Sequence, residues 1–144
     1  MKAEYDMRKK AFLFAALGIV ILVSVVLIRV SQPKAAFDGD RIASADPPSF
    51  SLRFNVMNKE DAHTLSLQEG DTLAVSWLIE SGSVDVLIAM EGEPSLYQAN
   101  GRGKGDEAAF DLTIPKTGDY AITVSGKNAK GWLHFEGVNE QAGQ

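Results

Sequence analysis

Hydrophobic and polar positions change their rhythm twice along this chain. From Ala11 to Ile28 the sequence is AFLFAALGIVILVSVVLI, apolar throughout except for Ser24. From Phe50 onward the apolar positions recur with a period of two. The first pattern predicts a helix that is hydrophobic all round. Eighteen residues at about 1.5 Å each span roughly 27 Å, close to the hydrocarbon thickness of a bilayer. The second pattern predicts half-buried β-strands, because side chains on a strand point alternately to its two faces.

Phe50, Leu52, Phe54 and Val56 alternate with Ser51, Arg53 and Asn55. Leu65 and Leu67 mark a short strand, and Leu73, Val75, Trp77 and Ile79 mark the clearest one. Ser81-Gly82-Ser83 reads as a tight turn that returns the chain through Val84, Val86, Ile88 and Met90 as a hairpin. Ser95 to Ala99 is a weak edge strand, and Phe110, Leu112 and Ile114 form another. Pro115 to Asp119 is strong turn chemistry, since proline presets φ and glycine accepts positive φ. Tyr120, Ile122 and Val124 follow, then a turn at Gly126 to Gly131, then a closing strand with Leu133 and Phe135. The expected fold is all-β: an antiparallel β-sandwich of seven to eight strands, preceded by one N-terminal transmembrane α-helix.

The chain divides accordingly. Residues 1–10 are a charged tail, 11–30 a membrane helix, 31–48 a linker marked by prolines and small residues, 49–138 the sandwich, and 139–144 a polar tail. Arg8-Lys9-Lys10 abuts the apolar run, which by the positive-inside rule puts the N-terminus in the cytoplasm and the sandwich outside it. A cleaved signal peptide fits less well. Its apolar core is usually 7 to 15 residues, and the small-residue site Ala43-Ser44-Ala45 lies too far beyond Ile28.

Charge sharpens this picture. Residues 1–30 carry five positive and two negative charges, whereas residues 31–144 carry nine and seventeen. An acidic domain argues against nucleic acid, which requires clustered Lys and Arg. The absence of cysteine removes disulfides, thiolate metal sites and thiol nucleophiles.

Three stretches of turn and strand carry a resemblance. They are Leu67-Gln68-Glu69-Gly70-Asp71-Thr72-Leu73, Gly82-Ser83-Val84-Asp85-Val86, and Ile114 to Val124 with its Gly118-Asp119-Tyr120 core. Together they resemble the small jelly-roll sandwiches of the bacterial pre-peptidase C-terminal and GOLD-like type. The resemblance covers residues 50–137 and implies a jelly-roll fold. It implies binding of protein or carbohydrate rather than one defined activity.

Candidate chemistry is sparse. Neither His63 nor His134 stands in a ligand-spaced cluster. Glu91 and Glu93 are two residues apart in a turn, a poor frame for paired-carboxylate catalysis. The loop Gly101-Arg102-Gly103-Lys104-Gly105 lacks the Lys-Ser/Thr ending of a phosphate loop. Asp38, Asp40 and Asp46 lack the closing glutamate of a calcium loop, and Arg41 sits among them. No catalytic, metal or cofactor site is expected, and the reading is a non-enzymatic binding module.

Its candidate contacts are residues out of phase with their strands. Trp132 is offset from Leu133 and Phe135, and Tyr97 from Leu96, so both are expected outward and suited to stacking on a sugar. Leu78 and Leu87 oppose the inward sets of their strands and would make an apolar patch for a protein if they are neighbours. The expected partners are thus the lipid bilayer through residues 11–30 and a protein or glycan outside the cytoplasm. A protein is slightly favoured, with a carbohydrate module or an accessory subunit of a membrane complex as alternatives.

Overall fold

The computed structural model describes residues 35–139. The expected membrane helix and cytoplasmic tail lie outside them. Seven strands follow in order: β1 Phe37–Ala45, β2 Pro48–Met57, β3 Glu60–Leu67, β4 Thr72–Met90, β5 Tyr97–Arg102, β6 Asp106–Thr113 and β7 Gly118–Val138. All their pairings are antiparallel.

Two of these strands are long, and they organise the rest. β4 and β7 pair along their whole length, from Thr72 opposite Val138 to Met90 opposite Tyr120. The first part of β4 takes β6 on its free side, and the last part takes β5. β7 likewise takes β3 on its first part and β2 on its last. One layer therefore reads β1-β2-β7-β4-β6 and the other β3-β7-β4-β5, with β4 and β7 running through both.

This corrects the two hairpins expected from the glycines. Ser81-Gly82-Ser83 does not reverse the chain; it bends β4 from one layer into the other. The ladder to β7 slips between Ile79 and Ser81 and again between Ser81 and Ser83. Gly82 has φ +72°, and a Cβ there would lie 2.2 Å from the carbonyl oxygen of Asn128. The bend of β4 thus rests on the bend of β7, where Gly126 to Gly131 was expected to turn. Hydrogen bonds to a strand that bends alongside hold the chain extended, where local turn chemistry alone would have folded it back.

The alternating apolar residues meet between the layers in one core. It includes Phe50, Leu52 and Phe54 of β2, Leu73, Val75, Trp77 and Ile79 of β4, and Ile122, Val124, Leu133 and Phe135 of β7. No polar or charged residue is buried among the described residues. Close contact across the layers explains one small residue: a Cβ at Gly137 of β7 would come within 2.6 Å of Leu67 Cδ2 of β3.

The expected linker 31–48 also needs correction, because Phe37–Ala45 is a strand. It has almost no buried side chain to announce it, so no apolar rhythm is visible. What holds it is the ladder to β2, from Phe37 opposite Met57 to Ala45 opposite Pro48. Arg41 ties it to the other layer. Its Nε donates to the Asp61 carboxylate at 3.1 Å, its Nη2 donates to the Ala62 carbonyl at 3.2 Å, and the guanidinium lies 5.0 Å from the Phe50 ring centroid.

Candidate ligand-binding face

Register fixes what stands on the outer face of the five-stranded layer. Residues opposite one another on antiparallel strands share a face, and the inward set is Phe50, Leu52, Leu133 and Phe135. One outward row is therefore Asp40, Arg53, Trp132, Leu78 and Glu107. The next is Ile42, Ser51, His134, Ser76 and Ala109. Glu136 follows His134 on the same side of β7.

Asp40, Ile42, Ser51, Arg53, Trp132 and His134 line an open groove of about 380 Å³ across β1, β2 and β7. Trp132 is half-buried in it. Ile42, at 66% exposure, stands on its rim. Arg53 makes no ion pair or side-chain hydrogen bond among the described residues, although Asp40 stands opposite it. By contrast, Lys116 pairs with Glu93 and Lys130 with Glu80.

His134 is held from both sides. Its Nδ1 lies 2.5 Å from Ser51 Oγ, and its Nε2 lies 3.3 Å from Glu136 Oε2. A carboxylate only accepts, so Nε2 carries the proton; Nδ1 then accepts the Ser51 hydroxyl proton. The sequence gives no hint of this chain, because Ser51 and His134 are 83 residues apart. Only the register of β2 against β7 brings them together.

The four predicted contact residues separate. Trp132 and Leu78 are cross-strand neighbours on this face. Leu87, 38% exposed, lies on the outer face of the other layer, between Thr123 and Gln98. The two leucines therefore form no common patch. Tyr97 turns inward: its ring packs 4.9 Å from that of Phe110, which stands edge-on to Trp77 at 5.6 Å. The inference from Leu96 fails because Leu96 precedes β5, so it does not set the phase of that strand.

Other candidates find structural uses. The Gly103–Gly105 turn is stitched to the bend of β4: Gly103, Lys104 and Gly105 donate their amides to the carbonyls of Gly82, Glu80 and Ile79. Those amides are not free to cradle a phosphate. His63 lies against the Phe50 ring, with centroids 5.2 Å apart. Among the described residues no group of three or more His, Cys, Asp or Glu side chains is arranged to hold a metal.

No family model and no curated protein matches the chain. Solved structures resemble it distantly. The Aeromonas hydrophila periplasmic inhibitor of g-type lysozyme is 16% identical, with 74% of this chain and 91% of that one covered and a TM-score of 0.42. The pre-peptidase C-terminal domain of a Bacillus anthracis collagenase is 17% identical, with 74% and 98% covered and a TM-score of 0.40. A carbohydrate-binding module of Cellvibrio mixtus lichenase 5A, solved with cellotriose, is 9% identical, with 76% and 90% covered and a TM-score of 0.39. No family match accompanies the pre-peptidase likeness read from the turns. At these scores the likenesses carry no functional conclusion.

Proposed function

We propose that this domain is a binding module and that its ligand is a neutral glycan seated on Trp132. The observation that carries the reading is an indole on an outward sheet face, flanked on β1 and β2 by unlike hydrogen-bonding groups. An indole offers a flat apolar surface to the C–H face of a sugar ring. Arg53 supplies donors and Asp40 acceptors for neighbouring hydroxyls. The excess of acid over base in residues 31–144 disfavours a polyanionic ligand.

A protein ligand loses its main support once Leu78 and Leu87 lie on opposite faces. Exposed Ile42 is what still favours it, yet a stable protein interface covers about 800 Å² on each partner. The apolar strip of Ile42, Trp132 and Leu78 is narrow for that. We propose further that residues 11–30 anchor the module in the membrane and hold this face outside the cytoplasm. Protease protection in intact cells tests that arrangement.

The binding test is retention of the purified full-length chain on a panel of neutral and acidic polysaccharides, wild type against Trp132→Ala. The half-buried indole contributes about 1 kcal/mol of packing, so the variant stays folded while its retention falls at least tenfold. Folded wild-type protein that is retained by none of the polysaccharides overturns the reading.

A further inference from the structure

We infer that Ser51, His134 and Glu136 form a nucleophile, base and positioning acid, and that the groove cleaves acyl esters carried by the sugar it binds. The substrate class rests on the glycan reading above; the reactivity of Ser51 does not. A hydroxyl 2.5 Å from one imidazole nitrogen, with a carboxylate 3.3 Å from the other, is the arrangement that activates a serine. All three side chains project from paired strands in the interior of a sheet, so the frame that carries them is rigid. Ser51 stands directly opposite His134. Glu136 lies one outward position further along β7.

An acyl transfer also needs a donor for the oxyanion. Main-chain amides of β2 and β7 are committed to their ladders, so a side chain must supply it. Arg53 is the next outward residue after Ser51 on β2 and lines the same groove, with no ion pair among the described residues. Asp40, opposite Arg53, is the other charged group lining the groove.

The steps balance with water as the sole co-reactant. Ser51 Oγ bonds to the ester carbonyl carbon while its proton moves to His134 Nδ1. The carbonyl π pair moves onto oxygen, facing Arg53. Collapse breaks the bond from that carbon to the sugar oxygen, which takes the proton from Nδ1. Water then attacks the acyl-serine carbon as Nδ1 accepts its proton. Collapse breaks the bond from that carbon to Ser51 Oγ, Oγ takes the proton back from Nδ1, and the acid leaves with Ser51 and neutral His134 restored. Ser51 and His134 are catalytic residues; Glu136 positions the imidazole and fixes its tautomer.

The test is labelling of the full-length chain with a fluorophosphonate, with the adduct located by mass spectrometry. An adduct at Ser51 is expected, absent in Ser51→Ala and slowed about 100-fold or more in His134→Gln. Glu136→Gln should slow labelling and Glu136→Asp restore part of it, a pattern that loss of packing alone does not produce. Melting temperatures confirm that each variant is folded. Folded wild type with no adduct at Ser51, or equal labelling in His134→Gln, overturns the inference. If polysaccharide retention persists in that case, the binding reading stands alone. Labelling without retention leaves the esterase and removes the glycan.

Discussion

Replacing Gly82 by alanine separates a bent strand from a hairpin turn. At φ +72° an alanine pays about 1–2 kcal/mol for left-handed backbone. Its Cβ also arrives 2.2 Å from Asn128 O and 2.5 Å from Lys127 O. Those atoms belong to the backbone of β7, which must shift, and such overpacking costs about 1–3 kcal/mol more. The expected loss is therefore about 3 kcal/mol. Gly92 provides the control, because it has φ +75° and nothing within 4 Å of a built Cβ. Its alanine variant should lose only the backbone part, about 1 kcal/mol. For a domain of this size, 1 kcal/mol moves the melting temperature by about 4 °C. Thermal unfolding of the full-length variants should thus show drops near 12 °C and 4 °C, with urea midpoints in the same order. Equal losses at the two glycines would mean that Gly82 occupies an open turn, and the continuous β4 would be wrong.

Three further outcomes follow from the packing. Trp77 is buried with its indole N–H unpaired among the described residues, a donor whose burial costs about 1–3 kcal/mol. Trp77→Phe removes that penalty along with some volume, so its unfolding free energy from urea titration should fall by less than about 1 kcal/mol, against about 3–5 kcal/mol for Trp77→Ala; a large loss in the phenylalanine variant would show that the N–H is satisfied. Arg41→Ala releases the tie from β1 to β3 and should cost about 1 kcal/mol, with faster amide hydrogen exchange in Phe37–Ala45; unchanged exchange there would assign the stability of β1 to its ladder alone. Leu87→Ser should leave polysaccharide retention unchanged while Leu78→Ser weakens it, and the reverse result would move the ligand to the other layer.

In the interiors of the main strands the period-two pattern marks the buried face: Phe50, Leu52 and Phe54 in β2, and Leu73, Val75, Trp77 and Ile79 in β4, point inward. The pattern fails at Tyr97 and at the bulge in β2, where Met57 and not Val56 is buried. β1 escaped notice because it buries almost nothing and is held by main-chain bonds and one arginine, which leave no apolar rhythm. Gly82 and Gly131 were read as turns because local chemistry does not reveal that a distant strand bends beside them. The candidate site divides in the same way. Trp132 was recognisable by its phase against Leu133. Ser51, Arg53 and Asp40 were not, since what unites them with His134 is register between segments far apart in the chain.

The central position of β7 has a consequence for synthesis. β7 borders β2, β3 and β4, and its last residue is Val138. A nascent chain that has emerged as far as β6 has its apolar faces in place but lacks the strand that joins them. Until then β2 can pair only with β1, β3 has no strand partner, and β4 has one side empty. Contacts of such sequence separation form late and leave unpaired edges exposed in the meantime. The groove beside Trp132 is therefore completed, together with the core, only once β7 has been made, although its β1–β2 side can pair earlier.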